Sequence, residues 1–124
     1  MESAGLAGGH FWLIPSNNPD KTWEEAADHV IYQLNLYSDW AEAAGMPADY
    51  RARVVPRPKD RSELRKLGIL NVVDVNTAIA MIRDYAAEVP LTHYYSWTLP
   101  PGLPPGWVQP HLELFASKVI PAFR

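Results

Sequence analysis

The chain has no cysteine among its 124 residues, which excludes disulfides, thiolate metal sites and thiol nucleophiles. No apolar run approaches the roughly 18 residues that a membrane span needs. The first residues, Met1-Glu2-Ser3-Ala4-Gly5, carry an acid where a secretory signal would carry a basic cluster. A cytoplasmic protein is the expectation. Positive charge is also short: 11 basic residues against 14 acidic ones leave a net −3, a poor balance for a general nucleic-acid binder. GxGxxG, GxSxG, P-loop and HExxH patterns are all missing, so Rossmann, serine-hydrolase, NTPase and zinc-protease readings have no support. None of the four histidines (His10, His29, His93, His111) pairs with another at metal-ligand spacing, so no metal is expected.

Aromatics and proline are plentiful. Five tryptophans and six tyrosines are many for this length. Twelve prolines are about twice the usual share of ~5%, and they fall between segments, chiefly in 100–110, as punctuation. Ordinary hydrophobic and charged fractions, 48% and 20%, point to one globular domain over 1–124.

Residues 10–16 (His-Phe-Trp-Leu-Ile-Pro-Ser) form an apolar run bounded by Gly8-Gly9 and a proline-asparagine turn, the pattern of a strand buried on both faces. Thr22 and Glu25 have capping-box spacing. Trp23, Ala26, Ala27, Val30, Ile31, Leu34, Tyr37 and Ala41 then recur at helical spacing until Gly45 and Pro47, which predicts a helix over 23–44. A proline-broken connection spans 48–60, a short helix starts near 61–67, and 68–73 is a brief apolar run. Asp74 caps a helix whose stripe is Val75, Ala78, Ile79, Ile82, Ala86 and Val89, ended by Pro90. Residues 91–98 read as a strand, with Leu91, His93, Tyr95 and Trp97 on one face and Thr92, Tyr94, Ser96 and Thr98 on the other. After a rigid loop over 99–109, the last helix is expected over 108–120, with Pro110 in its first turn and Leu112, Phe115, Ala116 and Val119 buried. Alternating strands and helices argue an α/β fold with parallel strands.

Seven basic residues, Arg51, Arg53, Arg57, Lys59, Arg61, Arg65 and Lys66, crowd 51–66 against Asp60 and Glu63. An anion site would need glycine turns or aromatics among the charges. None is there, so the expectation is a solvated connection.

Three stretches carry a family resemblance. Gly5–Pro15 (Gly-Leu-Ala-Gly-Gly-His-Phe-Trp-Leu-Ile-Pro) resembles a late-barrel segment of luciferase-like flavin-dependent monooxygenases. Residues 74–88 (Asp-Val-Asn-Thr-Ala-Ile-Ala-Met-Ile-Arg-Asp-Tyr-Ala-Ala-Glu) resemble the helix before that family's last strand. The third set, Pro100-Pro101-Gly102-Leu103-Pro104, His111-Leu112-Glu113-Leu114-Phe115-Ala116 and Val119-Ile120-Pro121-Ala122-Phe123, is similar to its closing loop, helix and terminus. One departure is Val73-Asp74-Val75-Asn76, which stands where many members have glycine-threonine-proline.

The resemblance implies the C-terminal third of a (β/α)₈ barrel: a partial barrel with two to three strands and three to four helices. It implies FMN or a deazaflavin, and oxidation of a small organic substrate. A complete barrel needs about 250 residues, so 124 residues imply a fragment or a reduced form, inactive by itself. The alternative is a non-enzymatic, self-associating module that binds no flavin.

Barrel active sites lie at the carboxyl ends of strands. There Ser16, Tyr95 and Trp97 are the candidates for contact with a flavin, although large aromatics in strands more often serve as core. His93, on the face of Tyr95 and Trp97, is the acid–base candidate; a satisfied core histidine is its commoner role. Apolar residues on both faces of 10–16 and 91–98, with only three substantial helices to cover them, would leave Trp12, Tyr94 or Trp97 exposed. The expectation is an aromatic-rich twofold dimer using a sheet edge or the helix over 23–44.

Overall fold

Trp12, Leu13, Ile14 and Pro15 place little polar surface against their surroundings, and all four are buried. In the computed structural model, which describes residues 5–124, they form strand β2 (Trp12–Pro15), the continuation of the short β1 (Ala7–Gly8). The acidic chain start lies outside the described residues. Strand β3 (Leu70–Val73) runs parallel to β2, with Trp12 opposite Leu70 and Pro15 opposite Val73. On the other flank β4 (His93–Tyr94) runs parallel to β1, and a bridge from Trp12 to Trp97 prolongs that pairing. The first strand is therefore the central one, between 70–73 and 93–97.

Alternation along β2 sends its neighbours to opposite layers. Trp12 and Ile14 pack with Trp23, Ala26, Ala27, Val30 and Leu34 of α1 (Pro19–Ala43) and with Leu64 of α3 (Arg61–Leu67). Leu13 packs with Ala78 and Ile82 of α4 (Val75–Glu88) and with Val119 near the C-terminus. Helices on both faces of a small parallel sheet make a mixed α/β fold. No barrel is closed among the described residues.

Several local expectations need correction. The long helix begins at Pro19, four residues before Trp23, with Asn18 as its N-cap, because proline suits a first helical position. Thr22 therefore lies inside the first turn, and its hydroxyl is buried against Ser16. The connection over 48–60 contains a helix, α2 (Ala48–Val54). Strand β4 keeps only two of the eight residues over 91–98. The last helix, α5 (Pro105–Leu114), starts early enough that Pro110 falls in its interior. It passes into a π turn (Phe115–Val119) and a 3₁₀ turn (Ile120–Phe123). The wider π turn carries Val119 inward while Leu112, 41% exposed, and Ala116 face out. Of the side chains expected to be left bare, Trp12 is fully buried, Tyr94 is half-buried and Trp97 is 39% exposed.

Candidate functional site

Parallel α/β sheets present ligands at the carboxyl ends of their strands. Here that end is largely closed by the proline-glycine loop. His29 donates from Nδ1 to the Pro101 carbonyl at 2.8 Å. Gly102 turns at φ +85°, and a Cβ there would meet His29 Nδ1 at 3.0 Å. His111 donates to the Pro15 carbonyl at 3.1 Å, and its ring lies against Trp107, 4.5 Å between centroids. Leu103 and Trp107 pack on the α1-side core. Two histidines thus pin the loop and α5 across the strand ends.

An opening lies beside Trp97, a cleft of about 330 Å³ lined by Gln33, Tyr37, Ser96, Trp97, Thr98 and Leu99. Trp97 sits against Phe11, Trp12 and Tyr37, with ring centroids 4.8, 5.4 and 6.3 Å away. Gln33 donates to the Tyr37 hydroxyl at 2.9 Å. The Ser96 hydroxyl oxygen is shut from solvent without a well-formed hydrogen bond. The cleft therefore has an aromatic floor, a polar rim and no charged lining residue.

The other sequence candidates are dispersed. Ser16 is buried: its hydroxyl lies 2.7 Å from that of Thr22 and accepts from the Asn18 N–H. It braces the entry to α1 and offers nothing to a ligand. Tyr95 is 58% exposed and lines a different cleft, with Leu112 and Phe115. His93 is exposed, 2.9 Å from the Thr92 hydroxyl, and no carboxylate is bonded to its ring among the described residues. It has neither the burial nor the partner of a built acid–base group.

Sequence reasoning passed over His10. Its Nδ1 lies 2.7 Å from the Tyr94 hydroxyl, and the rings of Tyr85 and Tyr94 stand 5.3 and 5.8 Å from its own. Burial pushes the His10 imidazole below its ordinary pKa and the Tyr94 phenol above its own. The neutral imidazole can accept a hydrogen bond from the phenolic O–H. The signal was the adjacent Gly8-Gly9: a Cβ on Gly8 would meet the Tyr85 hydroxyl at 2.7 Å, and one on Gly9 would collide with the Tyr95 carbonyl. Gly9 is required by the close approach of backbone, whereas at Gly8 the Tyr85 side chain would have to shift.

Five of the seven basic residues of the run are engaged, three of them by acids of α1. Arg51 pairs with Glu42 and Arg57 with Asp39, while Arg61 bridges Glu24 and Asp28. Arg53 pairs with Asp49 within α2, and the Arg65 guanidinium lies 3.8 Å over the Trp23 ring. The hydrogen bond from Arg61 holds the Asp28 carboxyl below its ordinary range. The run is a solvated connection laced to a helix. Among the described residues no three His, Asp or Glu side chains gather as a metal site. No helix there is long and apolar enough to cross a membrane.

Comparison with known proteins adds no relative: no family model, curated protein or solved structure matches the chain.

Proposed function

We propose that this chain is part of a flavin-dependent oxidoreductase of luciferase-like kind, acting in the cytoplasm on a small organic substrate. In this reading 7–15 and 93–97 derive from late strands of a (β/α)₈ barrel and α5 with its π and 3₁₀ turns from its closing helix, although the order 70–73, 7–15, 93–97 with helices on both faces departs from the sequential strands and outer helices of an intact barrel. The observation that carries it is the Trp97 cleft at the carboxyl end of the 93–97 strand, where barrels of this type hold their ligands. Its fit to FMN or a deazaflavin is partial. The indole of Trp97 and the ring of Tyr37 suit a planar ring system, and Thr98 and Gln33 suit its polar edge. No basic side chain lines the cleft to hold a phosphate, so that task falls to segments outside this chain, and the chain by itself is inactive. A reduced flavin there would supply the redox chemistry; Trp97 and Tyr37 would orient the ring and keep water from one of its faces. Titration of FMN and of a deazaflavin, read by tryptophan quenching, tests the reading. Saturable quenching that Trp97→Ala abolishes supports it. No uptake at tens of micromolar overturns it.

A second reading is favoured by surface area. The chain exposes 7977 Å², whereas a compact monomer of 13.9 kDa exposes about 6,700 Å². Among the described residues thirteen large hydrophobic side chains are exposed, with Tyr95, Leu112, Ile120 and Phe123 around neighbouring clefts. A self-associating module with no flavin of its own accounts for that excess.

A further inference from the structure

Strand β4 is outermost on its side of the sheet. The N–H groups of His93, Tyr95 and Trp97 bond inward to the carbonyls of Leu6, Gly8 and Phe11, and no strand pairs on its other side among the described residues. Alternation turns the backbone groups of Tyr94 and Ser96 outward. Natural monomers guard such edges with charge, proline or a bulge. Residues 91–98 contain no Asp, Glu, Lys, Arg or Pro.

Two clefts of about 430 and 410 Å³ flank this segment and meet at Tyr94, Phe115 and Ile120. No acidic side chain, lysine or arginine lines either one. Their apolar rim, Leu112, Ile120 and Phe123, is 38–44% exposed.

We infer that this edge and groove dock a second copy of the chain, the two 93–97 segments pairing antiparallel about a twofold axis near Tyr95. The inference rests on the self-associating reading and gives it a place. Three observations favour a second copy over an unrelated partner. The lining of both clefts carries no acid, lysine or arginine, and the nearest cation, Arg83, stands over the Phe123 ring at the margin, so the groove meets its own image with little like-charge repulsion. A twofold axis brings the outward N–H and C=O groups of each edge to those of the other. The chain as a whole exposes about 1,300 Å² more than a compact monomer of its mass, room enough for the ~800 Å² that each partner contributes to a stable interface.

The test is sedimentation equilibrium of the full chain at tens of micromolar, beside Leu112→Glu/Ile120→Glu and, for the rival surface on α1, Trp40→Glu. Expected are a dimer for the wild type and for Trp40→Glu, and a folded 13.9 kDa monomer for the double variant. A wild-type monomer overturns self-association itself. A dimer that survives the double substitution, or that Trp40→Glu dissociates, overturns this surface and leaves self-association standing. If the double variant does not fold, the cysteine-free background supplies a second measurement. Tyr95→Cys should form an intermolecular disulfide on mild oxidation while Tyr32→Cys does not; the reverse pattern overturns the proposal.

Discussion

The Tyr94 hydroxyl and His10 Nδ1 lie 2.7 Å apart, joining the two parallel strands through side chains where the regular pairing of 7–15 is interrupted between β1 and β2. Burial lowers the His10 pKa from 6.5. The unfolded chain therefore binds this proton more readily than the folded one, and stability falls as pH drops below about 6.5 toward the lowered folded value. NMR titration should place His10 below the ordinary histidine range. A midpoint at or above 6.5 would contradict the burial argument.

Tyr94→Phe removes the phenolic partner and leaves the imidazole nitrogen without one. The expected cost is about 1 kcal/mol, read from urea unfolding, with the fold retained. A neutral result would mean that water replaces the phenol at no cost.

Gly9→Ala forces a methyl group into the Tyr95 carbonyl, and backbone on backbone has no flexible end to yield. The expected result is loss of the cooperative thermal transition, or separation of the 93–97 strand. An unchanged melting temperature would show that the two strands are less closely seated.

Ser16→Ala strands the buried Thr22 hydroxyl and the Asn18 N–H, at about 1–3 kcal/mol. Flavin affinity should not change, since this hydroxyl faces the helix entry. A selective loss of flavin uptake with stability intact would restore Ser16 as a ligand residue.

Arg57→Gln/Lys59→Gln/Arg61→Gln should leave fold and oligomeric state unchanged, because these charges are exposed and screened. The lowered Asp28 carboxyl contributes stability above its ordinary pKa, and that contribution is lost as pH falls through the folded value. The triple variant should lack this part of the acid limb. A phosphate-dependent rise in melting temperature, present in the wild type and absent in the variant, would make the run an anion site instead.

The buried strand over 12–15, the stripe of α1 from Trp23 to Leu34 and the Asp74 cap were legible because period and capping chemistry are local. The early start of α1 was hidden by two competing signals. Thr22 and Glu25 have capping spacing, but Pro19 already suits a first helical position, and the Thr22 hydroxyl had a tertiary partner in Ser16. The burial of Leu112 was misjudged because one π turn rotates the stripe by a residue, and no periodicity count contains that turn. His93 was preferred to His10 because strand alternation shows which residues share a face and not which face is covered. Only the tertiary approach of Tyr85 and Tyr94 makes His10 the half-buried one.

The most direct test of the flavin reading is the set of five tryptophan indole N–H resonances during addition of FMN and of a deazaflavin. The account predicts that Trp97 moves, with its neighbour Trp12, while Trp23, Trp40 and Trp107 stay. Shifts centred on Trp107, or none at saturating flavin, would contradict it.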